Sequence, residues 1–530
     1  MFETQKKKGN NMEITDTARN RMFSNKDLVR LIIPLIIEQM LTVTVGLADS
    51  IMTANVGEEA VSGVSLVDSV MVLMINLFSA LATGGAVVAG QFLGQRKNIM
   101  ACKTADQLIL FIVSLSVVIM AGIYACKNFI LNVVFGNIES GVMHNAEIYL
   151  MIVTASIPFI AIYNGCAALF RIMGNSKISM NMSMLMNGIN IAGNAILIYG
   201  FKFGVEGVAI PTLVSRIVAA VVMVRLLAKQ NQDVHLSKHI HFHFKGYLIQ
   251  KILHIGVPNG IENSMFQLGR IMVLSIVAGF GTSSITANAI GNVVASFELI
   301  PGIGVGFAVL TVVSRCIGAG DYEAARYYTK KLLKVAYAAL IALNIIVVMI
   351  LPLIIQVYHL SPETAAITRK ILLYHTLCCV TIWPPAFTIP NTLRAANDVK
   401  YCMIVASATM WIFRIFCSVV LGKWMGLGVF GVWVAMTLDW VLCTCNVKVD
   451  GSWNSDCVDS KVGKLLGSGK GTVTTDYNKS VNTVLAADLC TTLLSFRCTE
   501  LSTSCSVKNC TTTLDGVGYI SCCHVDDLFV

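Results

Sequence analysis

Apolar runs recur along this chain from Leu28 to Trp440, and nothing else in the sequence limits its fold so strongly. A helix needs about 20 apolar residues to cross a hydrocarbon core of roughly 30 Å. Inside lipid the backbone must satisfy its own hydrogen bonds, which leaves helices as the structure for runs of this length. Composition agrees. The chain is 55% hydrophobic and 13% charged, whereas a soluble domain carries charge on about a quarter of its residues. The expected fold class is an all-α polytopic membrane protein. Six spans are expected at 28–53, 60–93, 104–126, 146–170, 178–200 and 207–228, with as many again after them.

The net charge of +9 can suggest nucleic acid, but its placement does not. Basic residues fall in every other loop: the N-terminal stretch, Arg96 with Lys97, Arg171 with Lys177, Arg225 to Lys251, Arg326 with Lys330, and Arg394 with Lys400. Arg369 and Lys370 are exceptions on the other side. Alternation of this kind is the positive-inside pattern of a plasma (inner) membrane protein with a cytoplasmic N-terminus. Residues 1–27 are polar and basic, and no small-residue cleavage site follows the first span, so no removable signal peptide is expected.

Sliding the chain along itself by 224 residues places Pro34 on Pro258, Glu38 on Glu262, Gly57 on Gly281 and Gly94 on Gly318 without a gap. A shift of 223 matches Arg171 with Arg394, Lys177 with Lys400 and Met180 with Met403, before 224 returns at Gly207 and Gly431. Copies with an even number of helices keep the same orientation in the membrane, so these are parallel repeats around an axis along its normal. The chain therefore divides into a cytoplasmic segment (1–27), an N-lobe (28–228), a linker (229–250), a C-lobe (251–440) and a tail (441–530), with about twelve helices in two pseudo-symmetric lobes around a cleft. The linker carries His235, His239, His241 and His243. Alternate histidines lack the closed ligand set of a metal site, and a solvated strap is expected there.

Ionisable side chains inside spans are costly and usually face a cavity or a partner. Asp49 near the end of the first span is the foremost such group. A carboxylate in that setting can exchange a proton for a metal cation. Glu38 lies eleven residues earlier, three turns plus about 20°, so the two acids share one helix face and can line one cavity. Asn190 and Asn194 are an i, i+4 pair in the fifth span, with carbonyl oxygens suited to a hard cation or to a carboxylate partner. Packing between helices is the competing reading for both asparagines. Glu262 repeats Glu38, each four residues after a helix-kinking proline. Such an acid either serves the site or takes up backbone groups freed by the kink. Glu298 and Arg414 are further charges at membrane depth. Ala82, Ala86, Gly90 and Gly94, with Gly302 and Gly306 in the second copy, form stripes for close helix packing. No paired acids, metal-ligand set or nucleophile with a base converge, so neither catalytic residues nor an organic cofactor are expected.

These residues resemble the multidrug and toxic compound extrusion (MATE) family over about 28–440. The likeness rests on Pro34 with Asp49, Gly57 to Val64, Gly84-Gly85 through Gly94, Arg171 to Gly174, Pro258 to Glu262 and Gly318 to Asp321. It implies export of organic cations or amphipathic drugs as Na⁺ or H⁺ enters, by a protein acting as a monomer. Asp49 falls on the family's first-helix aspartate, implicated in cation binding, and Asn190 on its fifth-helix asparagine. Asn194 stands where some members have aspartate, which disfavours a proton-only relay between two aspartates. Many members carry a glutamate eight residues after the seventh-helix proline; here that residue is Phe266 and the acid is Glu262. A lipid-linked oligosaccharide flippase of related architecture is the second functional reading.

The repeat also exposes an anomaly. Val208 to Leu227 map onto Val432 to Gly451, so the twelfth helix should stay apolar to about there. Instead the chain turns polar after Trp440, and nine of its 17 cysteines fall in residues 441–530, which contain no proline or methionine. A shifted reading frame near Val441 accounts for such a tail, and a genuine appended segment is the other reading. Either way a shortened twelfth helix is expected.

Overall fold

The computed structural model describes residues 22–446, apart from 135, 137, 138, 238–243 and 359. Fifteen long helices among them make twelve columns. The N-lobe holds α1 (Asn25–Ala54), α2 (Glu58–Gly94), α3 (Asn98–Ala125), α4 (Ser140–Thr154) with α5 (Ile157–Ile172), α6 (Ser176–Ala195) and α7 (Glu206–Leu227). The C-lobe holds α8 (Gly246–Ala278), α9 (Thr282–Glu298) with α10 (Ile300–Gly318), α11 (Tyr322–Val357), α12 (Pro362–Thr381) with α13 (Trp383–Ala395), α14 (Val399–Thr409) and α15 (Gly428–Asn446). Nine columns are long and apolar enough to cross a membrane, counting α4–α5 and α12–α13 as spans bent by 48° and 44°. Each bend sits where proline denies the helix a backbone donor, at Pro158 and at Pro384-Pro385.

The repeat governs local detail as well. Gly57 and Gly281 are equivalent residues before α2 and α9, with φ of +142° and +88° that a residue bearing a Cβ rarely adopts. The fifth column ends in a π-helical turn at Ile196–Gly200, and its counterpart beyond α14 does so at Val420–Trp424. Capping follows ordinary rules: Ser24 and Asp27 form a reciprocal box at the start of α1, and Asp321 accepts from the Ala324 amide before α11.

The lobes meet closely at one end, where Arg96, Lys97 and Arg394 lie. A Cβ on Gly94 would sit 2.0 Å from the Arg315 carbonyl oxygen, and one on its repeat partner Gly318 would sit 2.1 Å from that of Gln91. Only glycine permits the α2 and α10 backbones to approach so far, as the small-residue stripe leads one to expect. Gln91 Nε2 then donates across the contact to the Ala395 carbonyl at 2.9 Å and to Asn397 Oδ1 at 3.1 Å. The same hydrophobic cluster contains N-lobe residues such as Leu108 and Phe170 and C-lobe residues such as Val309 and Tyr328. Val277, Ile290, Val347 and Val432 instead form a cluster of C-lobe residues alone.

Two expectations change. Where a solvated strap was expected, the described part of the linker is docked on the N-lobe. Val234 and Leu236 are buried, the Ser237 amide donates to Asp106 Oδ1 at 3.0 Å, and the Lys245 amide donates to Gln107 Oε1 at 2.7 Å. Two apolar side chains spaced by one residue anchor it, and α8 begins at Gly246, inside the expected linker. His235 lies in the docked part, with Nδ1 3.2 Å from the Leu236 carbonyl oxygen, whereas His239, His241 and His243 lie outside the described residues. The twelfth column also runs further than expected: α15 continues past Trp440 to Asn446. Thr444 Oγ1 donates to the Trp440 carbonyl one turn back at 2.9 Å, which satisfies its hydroxyl within the helix. The tail from 447 lies outside the described residues.

Candidate functional site

α6 has its polarity turned inward. Its buried residues are Ser176, Ser179, Ser183, Asn187, Asn190 and Asn194, a stripe at helical spacing with no apolar member. In lipid such a face needs partners, and α1 supplies them along its length. Ser176 donates to the Leu31 carbonyl at 2.8 Å, Ser179 to Glu38 Oε2 at 2.7 Å, and Asn194 to Asp49 Oδ1 at 2.7 Å. The shared face of Glu38 and Asp49 is thus the face of α1 turned toward α6.

The two acids do different work. Glu38 is buried, and its Oε1 takes Arg171 Nη2 at 2.8 Å. Its carboxylate is therefore engaged by a guanidinium and a hydroxyl from α5 and α6, not by backbone groups freed at Pro34. The guanidinium also lies over the Phe307 ring of the C-lobe, 4.7 Å from its centroid. Glu262 repeats the arrangement, with Arg394 Nη2 at 2.6 Å and Arg394 Nη1 donating to Asn391 Oδ1 at 2.7 Å. The N-lobe pair with Ser179 ties three helices together, and the C-lobe pair ties α8 to α13.

Asp49 is half-buried and lies in a different setting. Asn194, fully buried, gives one amide hydrogen to the carboxylate and approaches Asn190 Oδ1 at 3.4 Å; Asn190 in turn donates to Thr212 Oγ1 on α7 at 3.0 Å. The Asn194 Oδ1 acceptor has no partner among the described residues. Asp68 on α2 and Arg216 on α7 both act electrostatically on Asp49. Tyr149 donates to Asp68 Oδ1 at 3.0 Å, and Arg216 Nη1 donates to Ser156 Oγ at 2.6 Å, at the bend between α4 and α5. Asp68 and Arg216 escaped the sequence reading, although the rule that singles out Asp49, an ionisable group at membrane depth, applies to both. Tyr149 and Thr212 carried no comparable signal.

With both carboxylates ionised, two acids and one guanidinium leave one unbalanced negative charge. The buried Asn194 Oδ1, without a partner among the described residues, belongs to the same cluster. Carboxylate and amide oxygens are the ligands that hard cations take, so the donor set fits one monovalent cation.

A family model described as MatE matches this chain twice, at residues 34–196 and 258–420. The two matches are displaced by the same 224 residues that separate the internal copies. The chain belongs to the MATE family. Among curated relatives of this MATE chain, the uncharacterized transporter YisQ of Bacillus subtilis is 28% identical over 77% of this chain and 90% of its own length. The probable multidrug resistance protein NorM of Thermotoga maritima is 25% identical over 78% and 89%. A solved outward-facing multidrug resistance MATE family transporter of the MOP superfamily superimposes with a TM-score of 0.77 at 18% identity, covering 82% of this chain and 96% of that one. A MOP superfamily transporter from Pyrococcus furiosus gives 0.75 at 19% identity over 84% and 97%. The architecture is therefore that of a MATE transporter: twelve transmembrane helices in two lobes.

Proposed function

We propose that this MATE chain is a cation-coupled antiporter that expels organic cations or amphipathic drugs across the plasma (inner) membrane, acting as a monomer with its N-terminus in the cytoplasm. The observation that carries the reading is the Asp49 cluster, an N-lobe site short of one positive charge that offers oxygen ligands at membrane depth. Na⁺ or H⁺ entering the cluster cancels that deficit, and the gain depends on whether the site faces ion-rich or ion-poor water. Alternating access follows when the two lobes rock about the cleft, closing one end as the other opens. The glycine-mediated contact at the Gly94 and Gly318 end supports a state closed toward the cytoplasm. Asp49 is the ion ligand, Asn194 and Asn190 orient it and contribute oxygens, and Glu38 and Glu262 hold the lobes rigid so that they move as bodies. The flippase alternative draws no support from the relatives described above.

Proteoliposomes loaded with a fluorescent cationic dye test this directly. Imposed Na⁺ and pH gradients, applied separately, should leave one of the two accelerating efflux, which identifies the coupling ion. Efflux indifferent to both gradients overturns the antiport reading.

A further inference from the structure

One charged member of the Asp49 cluster offers no oxygen to an ion: the guanidinium of Arg216 on α7. Its Nη1 donates to Ser156 Oγ at 2.6 Å, and the Ser156 hydroxyl donates onward to the Val153 carbonyl at 2.6 Å. Ser156 is fully buried at the α4–α5 bend. The arginine is therefore moored to the bend and not to an acid. No hydrogen bond or ion pair among the described residues joins it to Asp49 or Asp68, yet it acts electrostatically on both carboxylates.

Mooring separates charge from ligation. Asp49 Oδ1 accepts from Asn194 and Asp68 Oδ1 from Tyr149, so Arg216 lends its charge through space without taking up a carboxylate oxygen. A guanidinium keeps its proton in proteins, which makes that charge permanent. With it, the two ionised acids stand one positive charge short of balance; without it, they would stand two short. The number of ligand charges tunes how tightly an oxygen site holds a hard divalent cation. The repeat shows that packing alone does not call for an arginine there: at the 224-residue shift Asp49, Asp68 and Arg216 become Val273, Asn292 and Trp440, so the acids and the base are lost as a set.

We propose that Arg216 is a specificity-determining residue, a built-in cation that restricts the Asp49 cluster to one monovalent ion and turns divalent cations away. The inference rests on the reading of that cluster as the ion site, and it adds what sets the valence of the ion. A divalent cation held by both acids would clamp α1 to α2. Arg216 prevents that clamp by leaving too little negative charge for it.

Calorimetric titration of the full chain with Ca²⁺, in nanodiscs of uncharged phosphatidylcholine and with neither gradient nor dye, tests this. The native chain should give no more heat than empty nanodiscs. Arg216→Gln should bind Ca²⁺ at least about tenfold more tightly than the native chain, whereas Arg216→Lys, which keeps the charge, should not. Adding Asp68→Asn to Arg216→Gln restores the charge count and should abolish the gain. An arginine with a merely structural role would lower the unfolding midpoint of Arg216→Gln without creating Ca²⁺ affinity. Should Arg216→Gln fail to fold, Asn194→Asp leaves the arginine in place, adds one negative charge and should create the same affinity. Ca²⁺ binding by the native chain, a folded Arg216→Gln without the gain, a gain that survives Asp68→Asn, or Asn194→Asp without affinity would overturn the proposal. Efflux indifferent to both gradients, by contrast, would overturn the antiport reading and leave these binding results as they stand.

Discussion

The two lobes are copies of one helical plan, yet they keep different parts of it. Both retain the glutamate–arginine pair behind the proline kink, Glu38 with Arg171 and Glu262 with Arg394. Only the N-lobe keeps the acid cluster: at the 224-residue shift Asp49 becomes Val273, Asp68 becomes Asn292, Thr212 becomes Met436 and Arg216 becomes Trp440. What both copies preserve is what each lobe needs to stay rigid. What one copy alone carries is the cluster proposed to hold an ion. Common ancestry thus separates architecture from chemistry within a single chain.

The largest expected effect tests the shared half of that statement. Removing one partner of a buried ion pair strands the other charge and costs about 3 to 5 kcal/mol. Arg171→Ala and Arg394→Ala should each lower thermal stability by an amount in that range, measured by unfolding in detergent. A loss confined to one lobe would break the equivalence of the pairs. The unshared half comes next. Asn194→Ala removes one amide oxygen from the proposed ion cluster, so affinity for Na⁺ should fall about tenfold, the equivalent of about 1.4 kcal/mol. Titration of the purified chain with that cation reads the change, and unaltered affinity would remove Asn194 from the site.

The smallest effect refines the comparison. Ser179, which completes the Glu38 carboxylate, corresponds to Cys402 at the 223-residue shift, and Glu262 Oε2 has no hydrogen-bond partner among the described residues. Cys402 lines a pocket beside it with Phe266, Phe387 and Cys443. Cys402→Ser should supply the missing donor and stabilise the chain by about 1 kcal/mol. An unchanged or lowered unfolding midpoint would mean that the C-lobe pair is built for a partly open setting that its N-lobe twin lacks.

Much of the architecture could be read from residues alone, because lipid leaves few options for apolar runs and because the repeat supplied its own ruler. Spans and lobes follow from those two facts, and the small-residue stripe marked α2 for close packing, whereas the Gly94 and Gly318 approach across the lobes is seen in the structure. The ion pair was half visible: Glu38 and Glu262 stood out, but Arg171 and Arg394 read as loop charges, since 133 residues separate Arg171 from its partner. Their own match across the copies was the signal that each acid has a matching base. Asp49 and Asn194 could be chosen individually, whereas their direct bond depends on α1 and α6 packing along a stripe of buried serines and asparagines. Arg216 was hidden by an otherwise apolar α7, and its role depends on the α4–α5 bend that places Ser156 within reach. Docking of the linker through Val234 and Leu236 involves too few apolar residues to stand out in a polar segment.

Coupling of ion entry to export is proposed to rest on the charge of Asp49. In proteoliposomes under the gradient that drives the native chain, Asp49→Asn keeps the shape of the side chain and removes its charge. The variant should still bind the dye but show no acceleration of efflux when the gradient is applied. Gradient-driven efflux at the native rate in Asp49→Asn would contradict it.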